Sequence, residues 1–141
     1  MRIVVDTNVL SVAISRRSKF YPIWQAIRNG HFEMLVTTDI LYEYSEVLAD
    51  DLSPEVSENI LDTLETLPNI IPIHKYYFWN LITFDPDDNK FVDCAVAGSA
   101  DYIVTDDKHF KVLKNIPFPK VEVLSSEAFL ALILEGRSLL G

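Results

Sequence analysis

The chain has 141 residues, an apolar share of 49%, and twelve basic against twenty-one acidic side chains, which give a net charge of −9 at pH 7. That composition argues for one folded domain rather than a disordered chain. The single cysteine, Cys94, excludes an internal disulfide and a cysteine-based zinc site. The apolar run in the opening MRIVVDTNVL is too short for a membrane span or a signal peptide, so we expect a cytoplasmic protein with no membrane partner.

The first half of the chain alternates between strand and helix patterns. Its apolar spacing predicts a buried strand at residues 2–5, a helix over 9–14, a second helix over 20–29 and a strand at 34–37. A helix then begins at Thr38 or Asp39 and runs to about Ala49. Another begins at Ser53-Pro54-Glu55, because a capping hydroxyl, a proline at the first helical position and an acid all favour a helix N-terminus.

The second half continues the alternation. It predicts a strand at residues 70–73, an ambiguous aromatic stretch over 76–84, a turn at 85–88 and a helix around 91–96. A strand at 102–105, a short helix near 110–113, a strand at 121–124 and a final helix capped by Ser125 complete the chain. This order predicts an α/β fold with a central, mainly parallel sheet between two layers of helices, forming one domain over residues 1–141.

Acidic side chains follow two of the predicted strands. Asp6 comes directly after the first strand, and Asp107 lies two residues after the strand that ends at Thr105. Ligands of open parallel sheets bind beyond the carboxyl ends of the strands. Aspartates in such positions also cap helices, so either residue taken alone fits capping as well as it fits a ligand site.

Two further acids strengthen the prediction of a site. Glu43 borders the apolar stripe of its helix, and Asp93 has the most apolar sequence neighbours of any acid in the chain. Acids from four elements converge only if a cation neutralises them, and an all-carboxylate site suits Mg²⁺ or Mn²⁺ better than zinc. The histidines stand at no metal-ligand spacing and are expected to be ordinary surface or boundary residues: His31, His74 and His109.

Two stretches resemble motifs of the PIN-domain family, and the likeness extends over essentially the whole chain. They are the opening VVDTNVL and the segment DPDDNKFVDCAVAGSADYIVTDDKHF. The likeness is greatest to the VapC-like toxins of toxin–antitoxin systems. It implies a PIN-like fold, Mg²⁺ or Mn²⁺ as cofactor, RNA as substrate, a cognate antitoxin and a homodimer.

The resemblance also implies roles for individual residues. The catalytic residues and metal ligands would be Asp6, Glu43, Asp93 and Asp107. Supporting polar residues would be Thr7, Asn8, Thr105, Asp88 and Asp106. Asp106 stands where the family's motif often has glycine or arginine, and the Thr-x-Asp spacing favours Asp107 at the metal.

Several residues bear on which substrate the protein would bind. Aromatic residues beside the site favour single-stranded RNA. The basic residues that either contact RNA or only solubilise the surface are Arg16, Arg17, Lys19, Lys108 and Lys111.

Two alternative functions have their own sequence signatures. A degenerate PIN module that binds protein or RNA would have lost some of the acids. A haloacid-dehalogenase-type phosphatase carries a second aspartate where this chain has Asn8. Residues 20–24 or 76–79 are candidates for an interface, and core packing explains them equally well.

Overall fold

Five parallel strands form one central sheet. The computed structural model describes residues 1–75 and 77–140, with side chains described to residue 136. In chain order the strands are β1 (Arg2–Val5), β2 (Glu33–Val36), β3 (Ile70–Pro72), β4 (Tyr102–Val104) and β5 (Val123–Leu124). They lie across the sheet in the order β3-β2-β1-β4-β5, and neighbouring strands in this order pair in parallel.

Helices cover both faces of this sheet. They are α1 (Thr7–Ile14), α2 (Tyr21–Arg28), α3 (Thr38–Asp51), α4 (Pro54–Thr66), α5 (Asn89–Ala97) and α6 (Ser126–Leu140). The three layers confirm the predicted α/β fold class. Within the described residues, no helix has both the length and the apolarity needed to cross a membrane.

Capping hydroxyls begin three of these helices. Ser53 and Ser125 cap their helices as the sequence predicts, whereas the cap of α3 is Thr37, one residue before the predicted start. Thr37 Oγ1 accepts a hydrogen bond from the backbone N–H of Ile40, and Ser53 Oγ accepts one from Val56. Ser125 Oγ likewise accepts from the N–H of Ala128 at the start of α6. Each hydroxyl satisfies an N–H that has no partner inside its own helix.

Two predicted segments have 3-10 geometry in the structure. The short helix near residues 110–113 is a 3-10 helix over Lys108–Asn115, and the turn at Pro86–Asp88 is also 3-10. The ambiguous aromatic stretch has no regular helix or strand over residues 77–84. Tyr76, at the start of one candidate interface, lies outside the described residues.

The sheet order brings the ends of β1 and β4 together. The two strands are neighbours, and the N–H of Asp6 donates to the carbonyl of Val104 at 3.0 Å. On the other side of β1, the hydroxyl of the fully buried Tyr44 donates to the carbonyl of Val5. This bond holds α3 against the end of β1. It therefore brings Glu43, the residue before Tyr44, to the same edge of the sheet.

Candidate active site

Asp6 and Asp107 are linked through Thr105. The Thr105 hydroxyl donates to Asp6 Oδ2 at 2.7 Å, and the N–H of Asp107 donates to Thr105 Oγ1 at 3.0 Å. Only 6% of Asp6 is exposed. Burial raises the pKa of Asp6 against the opposing hydrogen bond from Thr105, and the charges of Asp107 and Glu43 add to the rise. These acids are thus close enough to repel one another.

Asp88 belongs to the same group. Its side chain is 14% exposed, and its Oδ2 lies 3.6 Å from His109 Nδ1. Neither of these two buried atoms has a hydrogen-bond partner among the described residues. Burial raises the pKa of Asp88 to about 6, and the charges of Asp107, Asp85 and Asp6 contribute to the rise. The carboxyl is therefore held in a place that disfavours its charge.

This arrangement fits a divalent cation. One ligand atom from each of Asp85, Asp88 and His109 lies within 4.8 Å of the others. His109 Nδ1 is also 3.3 Å from Asp107 Oδ1. A buried carboxylate oxygen among like charges, whose nearest nitrogen is His109 Nδ1 at 3.6 Å, is stabilised by a positive ion. The donors are carboxylates with one imidazole, a set that Mn²⁺ accepts and whose carboxylate part also suits Mg²⁺.

Glu43 adjoins Asp6 but already has a positive partner. Thr7 Oγ1 donates to Glu43 Oε2, and the ammonium of Lys90 lies 2.9 Å from Glu43 Oε1. Lys90 is only 9% exposed, and it also pairs with Asp87 Oδ1 at 2.8 Å. Burial by itself lowers the pKa of Lys90, but the hydrogen bonds to Asp87 and Glu43 outweigh burial and raise it. Lys90 thus neutralises Glu43 from inside the protein.

Asp93 is not brought to this group. Its Oδ1 accepts a hydrogen bond from the N–H of Trp79 at 3.0 Å, and it lines a cavity of about 600 Å³ together with Asp39, Lys75, Glu43 and Lys90. Burial raises the pKa of Asp93, and the other charges that act on it are those of Lys75 and Asp39. Asp88 ends the 3-10 turn before α5, whereas Asp93 lies within α5 and its carboxyl contacts the segment at Trp79. The charges of Asp6 and Asp107 are not among those that act on Asp93, so the structure does not bring Asp93 to these two acids.

The neighbouring residues Asp106 and Asp107 have different hydrogen-bond partners. Both oxygens of Asp106 accept from Ser126, at 2.9 Å from the backbone N–H and 2.6 Å from the hydroxyl, so this residue holds the start of α6. Asp107 Oδ1 accepts from the N–H of His109 at 2.8 Å and begins the 3-10 helix. Of the two residues, Asp107 is the one whose charge acts on Asp6 and Asp88.

The predicted substrate residues lie in different places. Lys19 forms an ion pair with Glu127, and Arg16 and Arg17 are exposed after α1. Lys108 and Lys111 are exposed on the 3-10 helix next to His109. The exposed Asn8 shares a cavity of about 320 Å³ with Asp6 and Asp107. Only Lys108 and Lys111 thus lie on the same short element as His109.

The sequence reasoning missed two residues of this site. His109 was expected to be an ordinary histidine, whereas its ring faces two of the acids. Lys90 was not considered. It is the only basic residue between Lys75 and Lys108, in a stretch with seven aspartates, and this isolation was a usable signal for an internal counter-ion.

Comparison with known proteins places the fold in a family. The family model described as PIN domain matches residues 2–109, which include every acid of the site. The chain belongs to the PIN-domain family. This PIN domain is similar to a chain of VapBC2 from Rickettsia felis, solved bound to a DNA fragment from the promoter. The TM-score is 0.62 at 18% identity, covering 89% of this chain and 98% of that one. No curated protein matches the chain.

Proposed function

We propose that this PIN domain is a metal-dependent endoribonuclease that hydrolyses phosphodiester bonds in single-stranded RNA. The observation that carries the proposal is the group of Asp6, Asp88 and Asp107 at the shared edge of β1 and β4. Asp88 contributes a buried oxygen with no donor among the described residues. Such a group is stabilised by a cation, and membership of the PIN-domain family supports the same reading.

The residues of this edge would divide the chemistry between them. Asp88, with Asp85 and His109 beside it, would hold Mg²⁺ or Mn²⁺, and Asp6 and Asp107, whose charges act on Asp88, would complete the ligand set. The bound ion would lower the pKa of a coordinated water and withdraw charge from the scissile phosphate. Thr105 keeps Asp6 Oδ2 in place through its hydrogen bond. Glu43, fixed by Thr7 and Lys90, would orient the attacking water and accept its proton.

Lys90 favours a single-ion form of this chemistry. Its ammonium already supplies positive charge to Glu43 Oε1 at 2.9 Å. A second divalent cation at Glu43 would stand beside this ammonium and be repelled by it. Glu43 would therefore orient the attacking water rather than bind a second metal ion.

The cellular role we propose is that of a cytoplasmic toxin with a cognate antitoxin protein, acting as a homodimer. The similarity to a chain of the VapBC2 complex supports this extension. Induced expression of the wild type should arrest growth, and expression of Asp6→Asn should not. Arrest by both proteins to the same degree would mean that the acidic site is not the cause.

Cleavage of a defined RNA tests the enzyme proposal. Purified protein is incubated with an unstructured RNA oligonucleotide in Mn²⁺ or EDTA, beside Asp6→Asn, Asp107→Asn and the control Asp62→Asn. Asp62 is exposed on α4, so its variant matches the loss of one charge outside the site. We expect cleavage by the wild type and the control in Mn²⁺ only. Equal cleavage by all four proteins would refute the assigned site.

Two other functions make different predictions. A degenerate module that only binds partners would bind no Mn²⁺, but the acids Asp6, Asp88 and Asp107 are all present and grouped. A haloacid-dehalogenase-type phosphatase needs a second aspartate at the position of Asn8. Hydrolysis of phosphomonoesters without RNA cleavage would favour the phosphatase.

A further inference from the structure

An exposed aromatic stack lies directly beside the acidic group. The rings of Phe84 and His109 are nearly parallel, with an interplanar angle of 4° and centroids 5.8 Å apart. Phe84 is 88% exposed although it is a large apolar side chain. One face of its ring is turned to His109, so the other face is open to solvent. Such a ring is a ready surface for a flat partner.

The surroundings of the stack are basic in an acidic protein. Phe84 and His109 line a cavity of about 530 Å³ together with Lys108, Lys111 and Ile82. Among the described residues, no aspartate or glutamate lines this cavity. The chain as a whole carries a net charge of −9. The two lysines therefore give this cavity a charge opposite to that of the rest of the molecule, which favours an anionic ligand.

The position of the stack relates it to the site of cleavage. His109 Nδ1 is 3.3 Å from Asp107 Oδ1 and 3.6 Å from Asp88 Oδ2. A nucleotide whose base lies on Phe84 would consequently place its phosphate near the proposed metal ligands. Single-stranded nucleic acids are held in this manner, by bases stacked on aromatic rings and a backbone that runs along basic groups.

We propose that Phe84, backed by His109, is a stacking platform for an unpaired nucleobase, and that Lys108 and Lys111 bind the adjoining phosphates of the RNA. The proposal rests on the proposed ribonuclease function and specifies how its substrate is held. A duplex would not fit, because its bases are stacked on one another and are not free to lie on the ring. Tyr42, which is also exposed, lines instead a cavity that contains several acids, among them Glu43, Glu46 and Asp50.

Binding of two matched oligomers tests the platform. One is an eight-nucleotide adenine RNA, and the other is an abasic ribose-phosphate chain of the same length and charge. Fluorescence anisotropy is measured in EDTA and again with Ca²⁺, for the wild type, Phe84→Ala, Phe84→Trp and the control Tyr42→Ala. We expect the wild type to bind the adenine oligomer about tenfold more tightly, since one stacked base contributes that order of affinity.

The variants separate stacking from charge. Phe84→Ala should lose the preference for bases, whereas Phe84→Trp and Tyr42→Ala should keep it. Changing Lys108 and Lys111 to Gln should weaken binding of both oligomers alike and lower the salt dependence by about 0.7 per lysine. The platform is refuted if the wild type shows no base preference under either condition, or if Phe84→Ala retains it.

The outcome can be told apart from failure of the ribonuclease proposal. RNA cleavage by a wild type whose binding is unaffected by Phe84→Ala would leave the enzyme in place and remove the platform. If the preference for bases depends on Phe84 but the protein cleaves no RNA with any divalent cation, the stacking platform stands and the ribonuclease proposal fails. Circular dichroism of Phe84→Ala checks that the variant is folded.

Discussion

Replacement of Asp88 by asparagine should stabilise the metal-free protein at neutral pH. The carboxyl lies among Asp6, Asp85 and Asp107, and the opposing contact with His109 Nδ1 at 3.6 Å does not offset burial and these charges. At pH 7 the folded protein must therefore hold this charge against burial and repulsion. Asparagine has nearly the same shape and no charge, so the variant avoids that penalty.

The magnitude follows from the pKa of Asp88, which burial raises from 3.8 to about 6. Between these two values the folded state holds a proton that the unfolded state has lost. The contribution of Asp88 to stability is therefore greatest below about pH 4 and declines as the pH rises through 6. One pKa unit corresponds to about 1.4 kcal/mol, so ionisation of Asp88 lowers the free energy of unfolding by about 3 kcal/mol. Asp88→Asn should exceed the wild type by about 2 to 3 kcal/mol at pH 7 and by little at pH 4.

Urea denaturation in EDTA, from pH 4 to pH 8, measures this difference directly. Comparison of the variant with the wild type at each pH cancels the titration of the other groups. Asp62→Asn provides the control for loss of one exposed charge and should follow the wild type. A stability difference between Asp88→Asn and the wild type that is the same at pH 4 and pH 7 would refute this reasoning.

Three further measurements test the packing of buried residues. Lys90→Met should destabilise the fold by about 2 to 4 kcal/mol in urea denaturation, because it leaves the Glu43 carboxylate without its positive partner. Adding Glu43→Gln should restore part of this stability. If the double variant is no more stable than Lys90→Met, the ion pair between Lys90 and Glu43 is contradicted. Gly98→Ala should lower stability by about 1 to 3 kcal/mol, since its Cβ would lie 2.5 Å from Leu35 Cδ1, and an unchanged melting temperature would argue against this crowding. Burial raises the pKa of Cys94 to about 12, so a thiol reagent should label it only after denaturation, and rapid labelling of the native protein would contradict its burial.

Local patterns predicted most of the elements because they agree with the tertiary structure. The strand at Arg2–Val5 and the helix starts at Ser53 and Ser125 follow from burial pattern and capping chemistry alone. The short helix near residues 110–113 took 3-10 geometry instead. The order of strands across the sheet depends on packing between distant segments, which no local pattern carries.

The acids show where sequence reasoning stops. Asp6 and Asp107 could be placed at one edge because both follow strands, and Glu43 because it borders a helix stripe. Asp93 was chosen for its apolar neighbours, which indicate that a side chain is buried but not the direction in which it points. Asp88 is expected from the sequence only as a supporting polar residue, although the charges of Asp6 and Asp107 act on it.

The pairing of His109 and Lys90 could not be predicted for a similar reason. His109 reaches Asp88 because a 3-10 helix follows Asp107 and turns the imidazole back toward the acids. Lys90 reaches Glu43 only after α3 and α5 have packed together. Both contacts join segments that are far apart in the sequence or depend on a turn of unusual geometry.

Cleavage of single-stranded RNA as a function of Mn²⁺ concentration, by Asp88→Asn beside Asp93→Asn, tests the central claim most directly. The two substitutions are chemically identical and lie five residues apart. Removing a group that only supports a metal ligand reduces activity by roughly 10- to 100-fold. Asp88→Asn should lose more activity than that, whereas Asp93→Asn should remain close to the wild type. Loss of activity in Asp93→Asn with activity retained in Asp88→Asn would contradict the site described by Asp6, Asp88 and Asp107.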